Sequence, residues 1–444
     1  MKNSKSISIS KTLSRVSKYL PLFVVLSLVL PSLAFAAISV NIDNVGDRRL
    51  KVAIPNFKNL SAGKESPELS EELTKVIAND LDLSGYFLPM EKKAFLDGDG
   101  PGITADNINF RNWTLIGTDL LIKGTYNCIG NNVEVDIRAY DPFEGKQIFG
   151  KRYLEKIADY RVLMHRAGND IFLKITGHKG IFLSKFLFDN TSTGNKEIYI
   201  CDFDGYNLKR VTNEKAIAQF PRWSPDGKGF AFTLNRDGHF IPHYMDISSG
   251  KIKKLSEKEG LGSRWHPDGG GIDLTLREKW GYTDIYSADI NGGNLEKLTN
   301  NQCEDFSPSR SPDGKKLVFV SDRAGLPQIY VKDLVTGSEE RITYDFKYCT
   351  SPVWSSLNKI AFVVVEKGAH DIYTMNPDGR GLRNLTGGEG NNEEPCWSPD
   401  GRYIVFTSNR DGRYHLYIMN SNGFNQRRVT FFDGEERNPS WSPF

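Results

Sequence analysis

CWSPDGRYIVFTSNRDGRYHLYIMNSNG, Cys396 to Gly423, sets a tryptophan ahead of three glycine-containing turns and two apolar stretches. Ser-Pro-Asp-Gly, from Ser398, reads as a turn: proline presets φ at its second position and glycine accepts a positive φ. The apolar stretches on either side of Asn409-Arg410-Asp411-Gly412 read as strands, rich in β-branched and aromatic residues.

The chain writes this phrase repeatedly. Trp223 opens WSPDGKGFAFTLNRDG, Trp265 opens WHPDGGGIDLTL, and Arg310 opens RSPDGKKLVFVSDRAG. Trp354 opens WSSLNKIAFVVVEKG, and Trp441 opens the final WSPF. The spacings are 42, 45, 44, 43 and 44 residues. A period in the forties marks a repeated supersecondary unit. One unit reads as a short strand ending at the Trp, a buried strand such as Lys315–Ser321, an alternating strand such as Gln328–Leu334, and a short outer strand such as Arg341–Thr343. Four antiparallel strands per repeat is a propeller blade.

Full units begin near residues 217, 260, 305, 349 and 392. The stretch from Ile181 to Thr212 has later strands but no Trp strand before them, whereas the C-terminal ERNPSWSPF has a Trp strand and nothing after it. The two fragments complete a sixth blade, so the expected fold over residues 178–444 is an all-β six-bladed propeller closed by its C-terminal strand. The tryptophans are expected to pack between blades. Arg310, in a Trp position, and Ser356-Leu357-Asn358, in place of Pro-Asp-Gly, mark two sites that should be looser or specialised.

Residues 50–177 have a different texture and read as an α/β domain. Leu50–Phe57 is an apolar strand. Ser66 reads as an N-cap with Pro67 in the first turn. Leu69, Leu73, Val76, Ile77 and Leu81 recur at helical spacing, and Gly85 stops the helix. A short helix near Asn109–Ile116 precedes strands Asp119–Tyr126, Val133–Asp141 and one running on from Gly145, with a turn expected at Asn131-Asn132. Asp159 is read as the cap of a last helix ending at Gly177.

The beginning of the chain reads as a targeting segment. Lys2, Lys5, Lys11, Arg15 and Lys18 precede an apolar run, Leu20 to Leu33, and Ala34-Phe35-Ala36 supplies a small-x-small cleavage signal. Residues 1–36 therefore read as a secretory signal peptide. The run is short for a membrane anchor and carries Pro21 and Pro31. Residues 37–49 read as an N-terminal arm. Five of the 57 basic and none of the 55 acidic residues lie in the leader, so the remainder carries 52 against 55, a net −3. That balance gives no footing for a nucleic-acid partner. The five cysteines, Cys128, Cys201, Cys303, Cys349 and Cys396, are odd in number and form no CxxC. They read as buried apolar residues, with one disulfide as the competing reading.

Motifs for chemistry are sparse. There is no G-x-S-x-G elbow, no H-E-x-x-H and no phosphate loop. His239 and His243 flank a proline-containing turn and read as loop histidines rather than metal ligands. Asp97-Gly98-Asp99-Gly100 lacks the later ligands of a calcium loop. No catalytic, cofactor or metal residues are assigned. The alternative function is an exported propeller hydrolase or lyase acting at the channel mouth. The loops entering the Trp strands are charged: Glu304-Asp305, Glu393-Glu394 and Glu435-Glu436, with Arg222, Arg264 and Arg437 nearby. Such a mixed rim suits a protein-docking mouth.

The leader, LKVAIPNF, GTDLLIKG, the WSPDG…NRDG…IYxMNxDG repeats and the terminal WSP-aromatic together resemble the TolB family of the Tol–Pal cell-envelope system, over essentially the whole chain after the leader. The resemblance implies a periplasmic, non-enzymatic, monomeric adaptor without a membrane span after cleavage. It implies a propeller that binds the lipoprotein Pal, an arm that engages TolA, and contacts with other outer-membrane proteins, in support of envelope integrity and constriction at division. The arm would be Ala37, Ile38, Ser39, Val40, Asn41, Ile42 and Asp43. Its alternating Ile38, Val40 and Ile42 suit strand addition to a partner's sheet, and equally an edge strand of its own domain.

Overall fold

The computed structural model describes residues 49–62, 66–96 and 102–443. The leader, the seven named arm residues and Asp97–Gly100 lie outside the described residues.

Strand β1 (Leu50–Ala53) lies parallel to both β3 (Phe87–Pro89) and β4 (Leu120–Ile129), and β2 (Lys58–Asn59) pairs with β4 further along. Strands β5 (Asn132–Asp141) and β6 (Lys146–Lys156) continue from β4 as an antiparallel meander, giving the order β3-β1-β4-β5-β6. Period-two alternation divides the faces. Val52, Leu120 and Ile122 join the core under α1 (Leu69–Leu83) and α3 (Tyr160–Thr176). Ala53, Leu121 and Tyr140 pack on the other side with Trp113 of α2 (Phe110–Leu115). Leu69, Leu73, Val76, Ile77 and Leu81 are all buried, as their spacing predicts; each contributes about 1.5–3 kcal/mol of burial.

Two local expectations are corrected. Ser66 does not cap α1. It sits at φ 50, and its carbonyl and that of Pro67 accept from Leu69 N and Ser70 N, so a tight turn precedes a helix that starts after Glu68. The β4–β5 turn is Gly130-Asn131 rather than Asn131-Asn132, because Asn132 already pairs with Ile129 and Gly130 takes the positive φ.

Six four-stranded antiparallel sheets follow. Blades II to VI have innermost strands Ile217–Trp223, Gly260–Trp265, Asp305–Arg310, Tyr348–Trp354 and Asn392–Trp397. In blade I the innermost strand is the C-terminal Glu436–Trp441, paired with Lys185–Thr193. The two ends of the propeller sequence therefore close the ring. Trp441 makes an edge contact with Phe186 of its own blade, lies near Tyr403 of blade VI, and donates from Nε1 to Ser184 Oγ at 2.8 Å. Trp265 and Trp397 donate across to the preceding blade, to Arg222 O and Val353 O, both at 3.1 Å. Inter-blade packing is thus the role of these tryptophans.

The turns after the Trp strands hold themselves. Ser224 Oγ donates to Asp226, and Asp226 in turn accepts from Lys228 N; Ser311/Asp313 and Ser398/Asp400 repeat the arrangement. In blade V, Asn358 takes φ 59 where the other repeats use glycine, and its side chain accepts from Trp354 Nε1. That site is specialised rather than loose.

The α/β layer rests on the Trp-turn end of blades I and VI. One core runs through both, including Phe172, Phe182, Phe203, Tyr403 and Trp441. Tyr403 Oη donates to Ser84 O, and Asn425 Nδ2 to Leu83 O, both at 3.2 Å. Gly85, besides ending α1, brings its backbone so close to blade VI that a Cβ there would stand 2.7 Å from the Asn420 side chain.

Candidate functional site: the axial channel

Every innermost strand breaks register shortly before its Trp position. The shifts fall between Arg437/Ser440, Gln219/Arg222, Gly260/Ser263, Phe306/Ser309, Thr350/Val353 and Glu393/Cys396. At each bulge one residue takes a positive φ: Asn438, Phe220, Gly262, Ser307, Ser351 and Glu394. All six line one cavity of about 360 Å³ on the propeller axis. Five of them are not glycine and precede Pro439, Pro221, Pro308, Pro352 and Pro395. Left-handed backbone at such residues costs roughly 1–3 kcal/mol each and concentrates at sites of function. Bulges of this kind re-aim side chains, and here they aim them at the channel. The sequence reading missed this ring; its signal was the X-Pro pair two residues before the Trp position in five of the six repeats.

The expected mouth residues divide into two groups. Arg222, Arg264, Glu304 and Glu394 line the cavity together. Glu393 and Arg437 stand beside it in a network: Arg437 pairs with Glu393 and, at 3.4 Å, with Glu394, and its guanidinium lies 3.8 Å from the centre of the Tyr414 ring. His370 Nδ1 joins Glu393 at 2.5 Å. Glu435 is exposed, with its backbone tied to Thr191. Asp305 and Glu436 require correction as docking residues, because both are 0% exposed. Asp305 holds Arg323 and Asn301, and Glu436 accepts from Thr430, Leu416 N and Phe432 N. Asp305 fixes the start of its strand in blade IV, whereas Glu436 ties the closing strand of blade I to blade VI.

Arg222 and Arg264 line both this cavity and a second one of about 280 Å³ at the Trp-turn end, and so form the waist between the two. Burial lowers the Arg222 guanidinium; burial, followed by repulsion from Arg222, brings Arg264 down to about 10. Both stay charged at neutral pH. On the bulge-lined face, the hairpin between Arg277 and Thr283 carries Trp280, 79% exposed. An exposed indole on the face that carries the cavity mouth is the residue type that anchors protein interfaces.

His239 pairs with Glu259, and His243 Nδ1 bonds Ile241 O at 2.8 Å. Among the described residues neither belongs to a group of three candidate metal ligands; the one such group is Asp80, His165 and Asp204. It lies where the α/β layer meets blade I. His165 Nδ1 stands 2.9 Å from both Asp80 oxygens, and Arg161 pairs with Asp204. These residues are too far apart in sequence for any local pattern to join them. All five cysteines are free thiols; four are buried and Cys303 is half-buried. Among the described residues no helix is long and apolar enough to cross a membrane.

Comparison with known proteins places this geometry among relatives. The profile described as TolB amino-terminal domain matches residues 38–148, and the one described as TolB beta propeller domain matches residues 172–360 and 356–444. The chain is similar to the Tol-Pal system protein TolB of Desulfosudis oleivorans, 34% identical over 283 residues, or 63% of this chain and 64% of the relative, just under two thirds of its length. It is 35% identical to the protein TolB homolog of Chlorobium luteolum over 336 residues, 74% of this chain and 76% of the relative. The crystal structure of TolB from Acinetobacter baumannii superposes with a TM-score of 0.78 at 25% identity, over 90% of this chain and 98% of that one.

Proposed function

Since the chain belongs to the TolB family, we propose that it is a periplasmic, non-enzymatic adaptor of a Tol–Pal system. In this reading the propeller binds the peptidoglycan-associated lipoprotein Pal, and the arm Ala37–Asp43 engages TolA by adding a strand to its sheet. The adaptor would support outer-membrane integrity and constriction at division, with other outer-membrane proteins as further contacts.

The observation that carries this reading is the bulge-lined mouth. It joins a cavity of about 360 Å³, a charged network at Glu393, Glu394 and Arg437, and the exposed Trp280, on the face turned away from the α/β layer. An anchor beside a polar rim suits a partner protein better than a small substrate.

A pull-down from envelope extract tests the proposal. The full chain after its leader should retain an outer-membrane lipoprotein in stoichiometric amount, and Trp280→Ala should weaken that retention by about tenfold or more. Recovery of no lipoprotein by the unaltered chain would overturn it.

A further inference from the structure

Arg222 and Arg264 occupy equivalent positions in blades II and III, each directly before the Trp. The same position holds Ser309, Val353, Cys396 and Ser440 in the other blades. Two adjacent guanidinium groups therefore stand at the waist of the channel, and both border the cavities on either side of it.

Neither has an ion-pair partner there among the described residues. Arg222 donates only to carbonyls: Pro221 O at 2.7 Å, Asn438 O at 3.4 Å and Pro439 O at 3.5 Å. Arg264 has the Cys396 thiol as its polar neighbour, a weak acceptor. The carboxylates nearby are committed elsewhere. Asp273, across the ladder from Arg264, is turned to Arg310 and His266. Glu394 accepts from Asn438 N, Thr407 Oγ1 and Arg437, and Glu304 from Thr283 N and Oγ1. Glu394 and Asp189 act on Arg222 only from beyond ion-pair distance, and Asp189 is held by Lys196, Asn438 Nδ2 and Phe220 N. Two like charges held close in a desolvated waist repel each other and have no direct ion-pair partner of the kind buried cations require. A bound anion supplies one, and guanidinium pairs favour planar oxyanions through two-pronged bonds. The cavity above adds Phe220, Leu261 and Phe306, apolar surface that fits a hydrocarbon stem behind the anionic group.

We propose that the channel waist is an anion site in which Arg222 and Arg264 together hold a carboxylate, or an oxyanion of similar size, entering from the bulge-lined mouth. The carboxylate comes either from a peptide chain inserted into the mouth or from a free small anion. The site does not rest on the lipoprotein reading: loss of anion binding and loss of lipoprotein binding are separate results.

The test is calorimetric titration of the full chain, after its leader, at constant ionic strength. The probes are acetate, inorganic phosphate, and acetyl-Ala-Ala-Leu with a free or an amidated C-terminus. Saturable binding of at least one carboxylate or phosphate probe is expected, weakened about tenfold or more by Arg264→Gln and by Arg222→Gln, with Glu340→Gln on an exposed outer strand unaffected. Melting curves of each variant confirm that it folds. Tighter binding of the free-acid peptide than of acetate, lost on amidation, identifies an inserted peptide as the source. Acetate or phosphate binding without peptide binding identifies a free anion. No saturable binding of any probe by the unaltered chain, or equal binding by both arginine variants, overturns the proposal.

Discussion

Arg310 and Asp273 form a two-pronged ion pair across the boundary between blades III and IV, Nε to Oδ2 and Nη2 to Oδ1, both at 2.8 Å. Arg310 stands where the other repeats carry Trp. Asp273 stands where they carry Leu187, Ala231, Val318, Ala361 and Val405. The two departures from the repeat compensate each other. His266 Nε2, 3.0 Å from Asp273, and Ser287 Oγ, 3.1 Å from Arg310, complete the set.

Removing one partner leaves a buried charge unpaired. Asp273 has a side chain 0% exposed and Arg310 one 14% exposed, so Arg310→Ala or Asp273→Ala should cost about 3–5 kcal/mol. The double variant Arg310→Trp/Asp273→Ala, which restores the repeat, should recover most of that loss. Urea unfolding of the four proteins checks this; additive losses would show that the pair is not the coupling.

The cluster at the α/β–blade I boundary should make stability fall as pH rises. Burial raises Asp80 to about 6, even with His165 beside it. Burial pushes His165 down, but Asp80 and Asp204 outweigh it and leave the imidazole raised, against the opposing charge of Arg161. Both groups hold protons more tightly folded than unfolded. Their contribution is complete below the unfolded values and is lost as pH climbs, from the ordinary Asp range through about 6 for Asp80 and upward from 6.5 for His165. The unaltered chain should therefore lose more stability between pH 6 and pH 8 than the double variant Asp80→Asn/His165→Gln does, both groups being replaced because His165 holds Asp80 down. Urea midpoints at the two pH values measure the difference; parallel behaviour would reject the assignment. Asp189, also raised to about 6 by burial, shifts both proteins alike.

Ring closure rests on the last strand. Trp441→Ala should cost about 3–5 kcal/mol by opening a cavity between blades I and VI. Removing residues 436–444 should abolish the single cooperative transition, as followed by circular dichroism and calorimetry. An unchanged melt after truncation would contradict closure by that strand.

Deleting residues 37–43 should abolish TolA binding and leave lipoprotein binding intact, each read by pull-down. Loss of both would reject the proposed division between arm and propeller.

The repeat was legible because a blade is a local object: its turns, strands and Trp recur within about forty residues, and the two incomplete ends announce their own pairing. The buried face of α1 was legible for the same reason. The bulges were less so, because left-handed backbone at Phe220, Ser307 or Glu394 is imposed by ring closure, against the preference of those residues.

The sequence by itself determined the number of blades, the Trp slots and the strand that closes the ring, since periodicity and turn chemistry act between near neighbours. Tertiary structure alone decided that Asp305 and Glu436 turn inward, that Arg310 finds Asp273, and that Asp80, His165 and Asp204 converge. Those outcomes depend on which blades and helices come to lie side by side. Charge placed in a buried seam must find its partner there, however distant along the chain.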